Sequence, residues 1–145
     1  MMVELTDAEI LCLHRWMWSD MQRDIGNSPG SHERTEYKGE WCIEHDLDIC
    51  CNCFLCECVV QNCRDYLRDC DICLVEWPMF GKNCSCKNCY YTGFYLWADI
   101  SDILKLPTKK LDPDRRTKID MRECDIEELK RRMKESDIYA YEKNS

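Results

Sequence analysis

Cysteine pairs with C-x-x-C spacing are the residues of this sequence best suited to chemistry. The chain has 14 cysteines, and 12 of them lie between Cys42 and Cys89. Three such pairs that share no cysteine occur in this stretch: Cys53/Cys56, Cys70/Cys73 and Cys86/Cys89. The spacing presents two sulfurs on one tight turn, which is half of the tetrahedral ligand set of Zn²⁺. The gap between the first two pairs is typical of a zinc ribbon or a treble clef.

The sequence therefore predicts one or two Zn²⁺ ions per chain. The first site is predicted from the first two pairs: Cys53, Cys56, Cys70 and Cys73. A second site is predicted from the third pair and an upstream C-x-x-H: Cys86, Cys89, Cys42 and His45. Other thiols remain alternative ligands of the second site: Cys84, Cys50, Cys51, Cys58 and Cys63. Cys12 and Cys124 lie far from the cluster, and we expect them to be buried as small apolar residues.

A disulfide framework is the alternative to zinc, as in small secreted domains. The N-terminal segment is the acidic start of a helix and not a basic segment followed by an apolar run. No apolar stretch approaches the length of a membrane span. The adjacent Cys50 and Cys51 cannot easily bond to each other. These features favour zinc, a reducing cytoplasm and no membrane association.

Catalytic chemistry has little support in the sequence. Cys42-x-Glu44 followed by Cys70-x-x-Cys73 has the outline of a zinc deaminase, in which a glutamate moves protons beside the metal. Asp69 stands where that motif has proline, however, and the alternating strands and helices of that fold are missing. A redox role for one C-x-x-C pair is disfavoured because three such pairs lie close together. The chain is predicted not to be an enzyme, with a zinc-dependent deaminase or hydrolase as the remote alternative.

The charge of the chain favours a basic protein partner. The formal net charge is −8, and acidic residues predominate up to residue 104. An acidic field repels nucleic acid and attracts basic surfaces. The predicted binding face includes the acids of the N-terminal helix: Glu4, Asp7, Glu9, Asp20 and Asp24. The alternative is a nucleic-acid-binding regulator acting through the basic segment 105–118, with a cluster formed by Lys109, Lys110, Arg115, Arg116 and Lys118.

Local patterns predict the elements that would position these residues. Thr6 and Glu9 form a capping box, and apolar residues then recur at helical spacing, so a long helix is predicted over about 7–25. Residues 26–40 are interpreted as a loop. The knuckle core follows over 42–89, with a brief strand before Pro78. A second helix is predicted over about 92–106, ending before Pro107.

The remainder of the chain is predicted to be a polar linker over 107–119 and a last helix. Asp125 and Glu128 form a second capping box, from which the helix would run to about residue 136. The predicted fold is thus an α-rich small zinc-binding domain of the α+β class, in which an N-terminal and a C-terminal helix pack on a zinc-knuckle, zinc-ribbon-like core. Residues 1–106 form the zinc-stabilised domain, and residues 107–145 form the linker and C-terminal helix.

Several short motifs along residues 10–107 resemble a known group of proteins. They are Leu13-His14-Arg15, Met17-Trp18, Cys53-Phe54-Leu55-Cys56-Glu57, Cys70-x-x-Cys73 with Trp77, Tyr95 with Trp97, and Leu106-Pro107. As a set they resemble small cysteine-containing proteins of phages and prophages from Gram-positive gut bacteria. This chain departs from that group in its additional cysteines and in the segment after Pro107. The resemblance implies a phage origin and supports the first zinc site, and it implies no catalytic residues.

The charge pattern and the resemblance together predict an inhibitor. We expect a phage protein that binds a host protein in the bacterial cytoplasm, such as a CRISPR or other defence effector with a basic groove for nucleic acid. The expected mode of action is occupation of that groove by an acidic and rigid surface.

Overall fold

A computed structural model describes residues 1–49, 53–62, 73–77 and 94–135. The elements in these ranges are strands β1 (Met2–Thr6) and β2 (Arg116–Asp120), and helices α1 (Asp7–Ile25), α2 (Ser31–Glu44), α3 (Phe54–Asn62), α4 (Phe94–Trp97), α5 (Ile100–Leu104) and α6 (Glu123–Glu135). The domain is small and rich in helix, with a two-stranded sheet. None of the helices in these ranges combines the length and apolar character that crossing a bilayer requires.

Helix α1 forms the centre of the domain. The predicted capping box is confirmed, because the Thr6 hydroxyl accepts the Glu9 N–H at 3.2 Å and the Glu9 carboxylate accepts the Thr6 N–H at 2.8 Å. Its buried positions lie on all sides, since α3, α5, α6 and β1 pack around it. Trp16 and Trp18 are both buried in the core.

The sheet joins the two ends of the described chain. Strand β1 pairs with β2 in antiparallel register, with Met2 opposite Asp120 and Thr6 opposite Arg116. The predicted linker over 107–119 is therefore wrong where β2 forms. Exposed and buried residues alternate along β2, and only Thr117 and Ile119 face the core. The alternation is hard to see in the sequence because the other three residues of the strand are charged.

Helix α2 corrects the predicted loop over 26–40. It begins after Gly30, whose N–H is accepted by the Glu33 carboxylate at 3.2 Å. Two of its inward positions are cations, Arg34 and Lys38, so the sequence shows no apolar stripe there. Arg34 donates to the Pro29 carbonyl at 2.9 Å and to the Tyr95 carbonyl at 3.2 Å. These bonds compensate for part of the burial of its guanidinium, whose Nη2 is buried without a hydrogen-bond partner among the described residues.

The predicted helix over 92–106 is divided into α4 and α5. The division arises because the loop after α1 caps α5. The Asn27 carbonyl accepts the Ile100 N–H at 2.8 Å, and the Asn27 side chain accepts the Ser101 N–H at 2.8 Å. Ser28 also donates to Asp99 at 2.5 Å. A partner distant in sequence therefore starts a new helix, which local spacing could not predict.

Helix α6 packs against α1. It begins at Glu123, ahead of the predicted cap, and Asp125 lies inside its first turn instead of capping it. Leu129 is fully buried, and the Arg132 guanidinium lies 4.8 Å from the centre of the Trp16 ring. Cys124, predicted to be buried, is exposed, whereas Cys12 is buried as predicted. Residues 74–77 meet the segment after α5 through a single antiparallel bridge between Val75 and Thr108.

Candidate functional site: a thiol pair and an acidic helix face

The first C-x-x-C pair lies at the start of α3. Cys53 directly precedes the helix, and its sulfur accepts the Cys56 backbone N–H at 3.4 Å. The N–H groups of a first helical turn lack partners within the helix and carry partial positive charge. The Cys53 sulfur is one such partner. Both residues are half-buried, and the surroundings of the Cys53 thiol are enclosed enough for burial to oppose its ionisation.

The surroundings of Cys53 favour its thiolate form. A hydrogen bond from the Cys56 thiol is the largest cause, and together with the positive charge of Lys38 it lowers the pKa of Cys53 to about 6, although burial opposes the shift. The Lys38 ammonium is held 4.5 Å from the Trp18 ring centre and 4.7 Å from that of Tyr95. A thiolate is the form that acts as a metal ligand or as a nucleophile.

Two residues predicted for the second zinc site, Cys42 and His45, differ from each other in their surroundings. Cys42 is buried in α2, and burial raises the pKa of its thiol to about 11. His45 follows the end of α2, and its Nδ1 lies 2.9 Å from the Asp125 carboxylate. Its ring stacks on Trp41 with 3.9 Å between ring centres. A carboxylate partner of this kind orients many metal-bound histidines, leaving Nε2 as the ligand atom.

Part of the predicted zinc ligand set lies outside the described residues, namely Cys70, Cys86 and Cys89. Cys73 is described and is buried at the start of the segment 73–77. Over residues 1–49, 53–62, 73–77 and 94–135, no three Cys, His, Asp or Glu side chains converge where they could hold a metal. Cys53 and Cys56 have the donor chemistry and spacing of half a zinc site.

Another buried titratable group lies beside Lys38. Burial first, and then the charges of Lys38 and Arg15, lower the pKa of His14 to about 3. Its imidazole contacts Trp18 and Trp77 edge to face. His14 is therefore neutral in the folded protein at physiological pH.

Most acids predicted for the binding face of α1 have structural roles. Asp7 is buried against Arg115, and Asp20 accepts a hydrogen bond from the Trp41 indole at 3.0 Å. Glu9 belongs to the capping box. Because these carboxylates are occupied by internal partners, the predicted face on α1 is corrected.

Helix α2 carries an acidic stripe that lies outside the predicted binding face. Four exposed carboxylates recur on α2 every three or four positions, and we call them the α2 acidic face: Glu33, Glu36, Glu40 and Glu44. Glu33 also accepts the Gly30 N–H, and Glu36 lies 3.0 Å from His32 Nε2, but both side chains remain exposed, unlike Asp7 and Asp20. Three of the four acids of this face, with Ile25 and Tyr37, line a shallow cavity of about 160 Å³ that is open to solvent. Their spacing is visible in the sequence, but the Gly, Ser and Pro residues of 26–40 indicate a loop, in which helical spacing has no meaning.

The remote deaminase arrangement is not supported by α2. Glu44 is exposed and Cys42 is buried, because residues two apart on a helix point in different directions. The basic cluster of segment 105–118, on which the nucleic-acid-binding alternative depends, also has fewer available cations than predicted. Arg115 is held by Asp7 in the interior, whereas Arg116 is exposed and keeps its charge while it donates to the carbonyls of Pro113 and Arg115.

Comparisons with protein-family models, with curated proteins and with solved structures found no match to this chain.

Proposed function

We propose that this chain is a zinc-stabilised acidic protein that binds and inhibits a basic protein partner through the α2 acidic face. The observation that carries the proposal is the alignment of four exposed carboxylates on one helix. Like charges at this spacing destabilise a helix by about 0.2–0.5 kcal/mol per pair. Lysine and arginine side chains of a partner would remove this repulsion and accelerate association.

The cavity within the face supports recognition of a long basic side chain. Ile25 and the Tyr37 ring provide apolar walls, and Glu33, Glu36 and Glu40 provide charge. A lysine or arginine side chain combines an apolar stem with a charged end. Ile43 is 75% exposed near the end of the same helix and would add apolar contact.

The partner that we propose is a host protein with a basic groove for nucleic acid, such as a CRISPR or other defence effector. The resemblance to phage proteins supports a host target, and the acidity of the face supports the groove. In this interpretation the chain acts as an anti-CRISPR-like competitor of nucleic acid in the bacterial cytoplasm.

Zinc is the proposed source of stability for the cysteine-rich segment. The Cys53 thiolate and the neighbouring Cys56 would provide two ligands, and Cys70 and Cys73 the other two. Cys86, Cys89, Cys42 and His45 are the proposed second set, and the Asp125 contact to His45 supports that part of it. The metal would hold the cysteine-bearing segments together by coordination, and structural zinc can contribute roughly 10 kcal/mol or more to the free energy of folding.

The acidic face is tested by affinity capture from host lysate. The test variant is Glu33→Gln/Glu36→Gln/Glu40→Gln, in which Gln at position 33 retains an acceptor for the Gly30 N–H. The matched control removes the same charge from exposed acids of α6: Glu123→Gln/Glu127→Gln/Glu135→Gln. We expect wild type and control to retain a nucleic-acid-handling protein that salt releases, and the test variant to lose it. Equal retention by the test variant would reject the face, and no such protein on wild type would reject the function.

Metal binding is tested by elemental analysis of protein purified under reducing conditions. We expect one or two zinc ions per chain, and one fewer in Cys53→Ser/Cys56→Ser. Cys124→Ser is the control, because its exposed thiol lies outside both predicted sites. Wild type without zinc, or a double variant with unchanged zinc, would contradict the proposed first site.

A further inference from the structure

The two strands of the sheet differ in how their outer edges are covered. The Met121 N–H donates to the Met1 carbonyl at 2.8 Å, so by the alternation of an antiparallel pair the even-numbered residues of β1 direct their N–H and C=O groups away from β2. On β2, the outward groups of Lys118 are both bonded to the Gln61 side chain, at 2.7 and 2.9 Å. Gln61 thus takes the place of a third strand along the edge of β2.

The outer edge of β1 is open at two residues. Thr6 donates its outward N–H to Glu9 at 2.8 Å, which ends the open stretch at the start of α1. Over the ranges that the structure describes, no hydrogen bond reaches the outward main-chain groups of Met2 and Glu4. Both residues are exposed, Met2 to 66%. A strand edge with unpaired N–H and C=O groups is a template for pairing with another extended chain.

We propose that two copies of this chain pair edge to edge through β1, in antiparallel direction, and form a four-stranded sheet with the order β2-β1-β1-β2. A two-fold axis at Val3 places Met2 of each protomer opposite Glu4 of the other, so both protomers use the same surface. Each of these opposite pairs exchanges both N–H···O bonds, and every outward group of the two residues is then bonded. The half-buried Val3 side chains meet at the axis on the core side of the sheet.

The charges around the edge fit a second copy and fix the register. The exposed side of the sheet carries Glu4 and Asp120 together with Arg116 and Lys118, so its charge is locally balanced although the chain has a net charge of −8. A basic partner strand would gain little, because Glu4 already lies opposite Lys118 within the chain. In the proposed register Glu4 faces the uncharged Met2 of the other protomer. A register that placed the two Glu4 side chains directly opposite each other would be destabilised by their like charge.

The pairing is tested by sedimentation equilibrium of the full chain under reducing conditions, at about 1 µM to 1 mM protein. The test variant is Glu4→Pro, because proline is tolerated on an edge strand where the lost N–H faces away from the neighbouring strand. The matched control is Glu4→Ala, which removes the same side chain and retains the N–H. We expect wild type and control to approach the mass of two chains as concentration rises. Glu4→Pro should associate at least about tenfold more weakly, because each opposite pair loses one bond.

Hydrogen exchange of the wild type tests the same edge without a substitution. At high protein concentration the Met2 and Glu4 amides should exchange more slowly than at low concentration, whereas the Val3 amide, which faces β2, should exchange at an unchanged rate. Added salt should not weaken the association, because both protomers are acidic and salt screens their repulsion.

The outcomes separate this pairing from the proposed function. A wild type that remains a single chain at about 1 mM would overturn the pairing, and so would association without slower exchange of the Glu4 amide. Equal association of a folded Glu4→Pro, checked by circular dichroism, would also overturn it. Glu33→Gln/Glu36→Gln/Glu40→Gln should associate as wild type does, and a loss of association in that variant would assign the contact to the α2 acidic face instead.

Discussion

The buried ion pair between Asp7 and Arg115 should contribute strongly to stability. Asp7 is the first residue of α1 and is 1% exposed. Its carboxylate accepts Arg115 Nη2 at 2.6 Å and Nε at 2.9 Å, and it also accepts the Asp112 N–H at 2.9 Å. The pair connects the start of the central helix to the segment leading into β2.

Removing one partner leaves the other charge buried without compensation. For Asp7→Ala we expect a loss of about 3–5 kcal/mol in the free energy of unfolding, the range for breaking a buried pair. Arg115→Ala should cost less, because the helix start and the Asp112 amide still stabilise the Asp7 carboxylate. The double variant should lose about 0.5–3 kcal/mol less than the sum of the two single losses.

The assay is urea unfolding under reducing conditions, followed by the fluorescence of the five tryptophans. The control is the surface pair between Glu127 and Lys130, at 3.9 Å and with side chains 72% and 56% exposed. Glu127→Ala should cost less than about 1 kcal/mol. A similar loss for Asp7→Ala and Glu127→Ala, or additive effects of the Asp7 and Arg115 variants, would refute the reasoning.

Three further predictions concern pH, the sheet edge and the last helix. The unfolded chain protonates His14 near its usual pKa of 6.5, whereas burial lowers the pKa of the folded His14 to about 3. The free energy of unfolding should therefore fall by up to about 1.4 kcal/mol per pH unit as the pH decreases between these two pKa values. In urea unfolding over the same pH range, His14→Leu should show a smaller dependence of this free energy on pH. The Gln61 side chain accepts the Lys118 N–H at 2.7 Å and donates to the Lys118 carbonyl at 2.9 Å. Gln61→Ala should therefore accelerate hydrogen exchange of the Lys118 amide, and an unchanged exchange rate would contradict this contact. Leu129→Ala should cost about 2–5 kcal/mol in urea unfolding because the side chain is fully buried, and a loss below about 1 kcal/mol would mean that α6 does not pack on α1.

Local interactions made α1 and the thiol pair predictable. The capping box of α1 joins residues three apart, and its apolar spacing is a property of a single helix. The C-x-x-C spacing of Cys53 and Cys56 likewise brings two sulfurs to one turn whatever surrounds them. Such features depend on the immediate chain neighbours, so the residue types are sufficient to predict them.

Helix α2 was not predictable by the same reasoning, because the partners of its inward residues come from elsewhere. Arg34 is buried only because two backbone carbonyls accept its N–H groups, and Lys38 because the rings of Trp18 and Tyr95 surround its ammonium. Without those partners, two cations on one side of a segment indicate solvent exposure. The α2 acidic face was missed for this reason.

The sequence by itself thus determined the central helix, the spacing of the thiols and the acidity of the chain. The tertiary structure decided which acids are available: it buries Asp7 against Arg115, 108 positions away, and leaves the carboxylates of α2 in solvent. It also decided the pairing of β1 with β2, two strands between which helices α1 to α5 lie in the sequence. The physical reason is that burial and pairing depend on neighbours brought together by folding, whereas capping and helical spacing depend on neighbours along the chain.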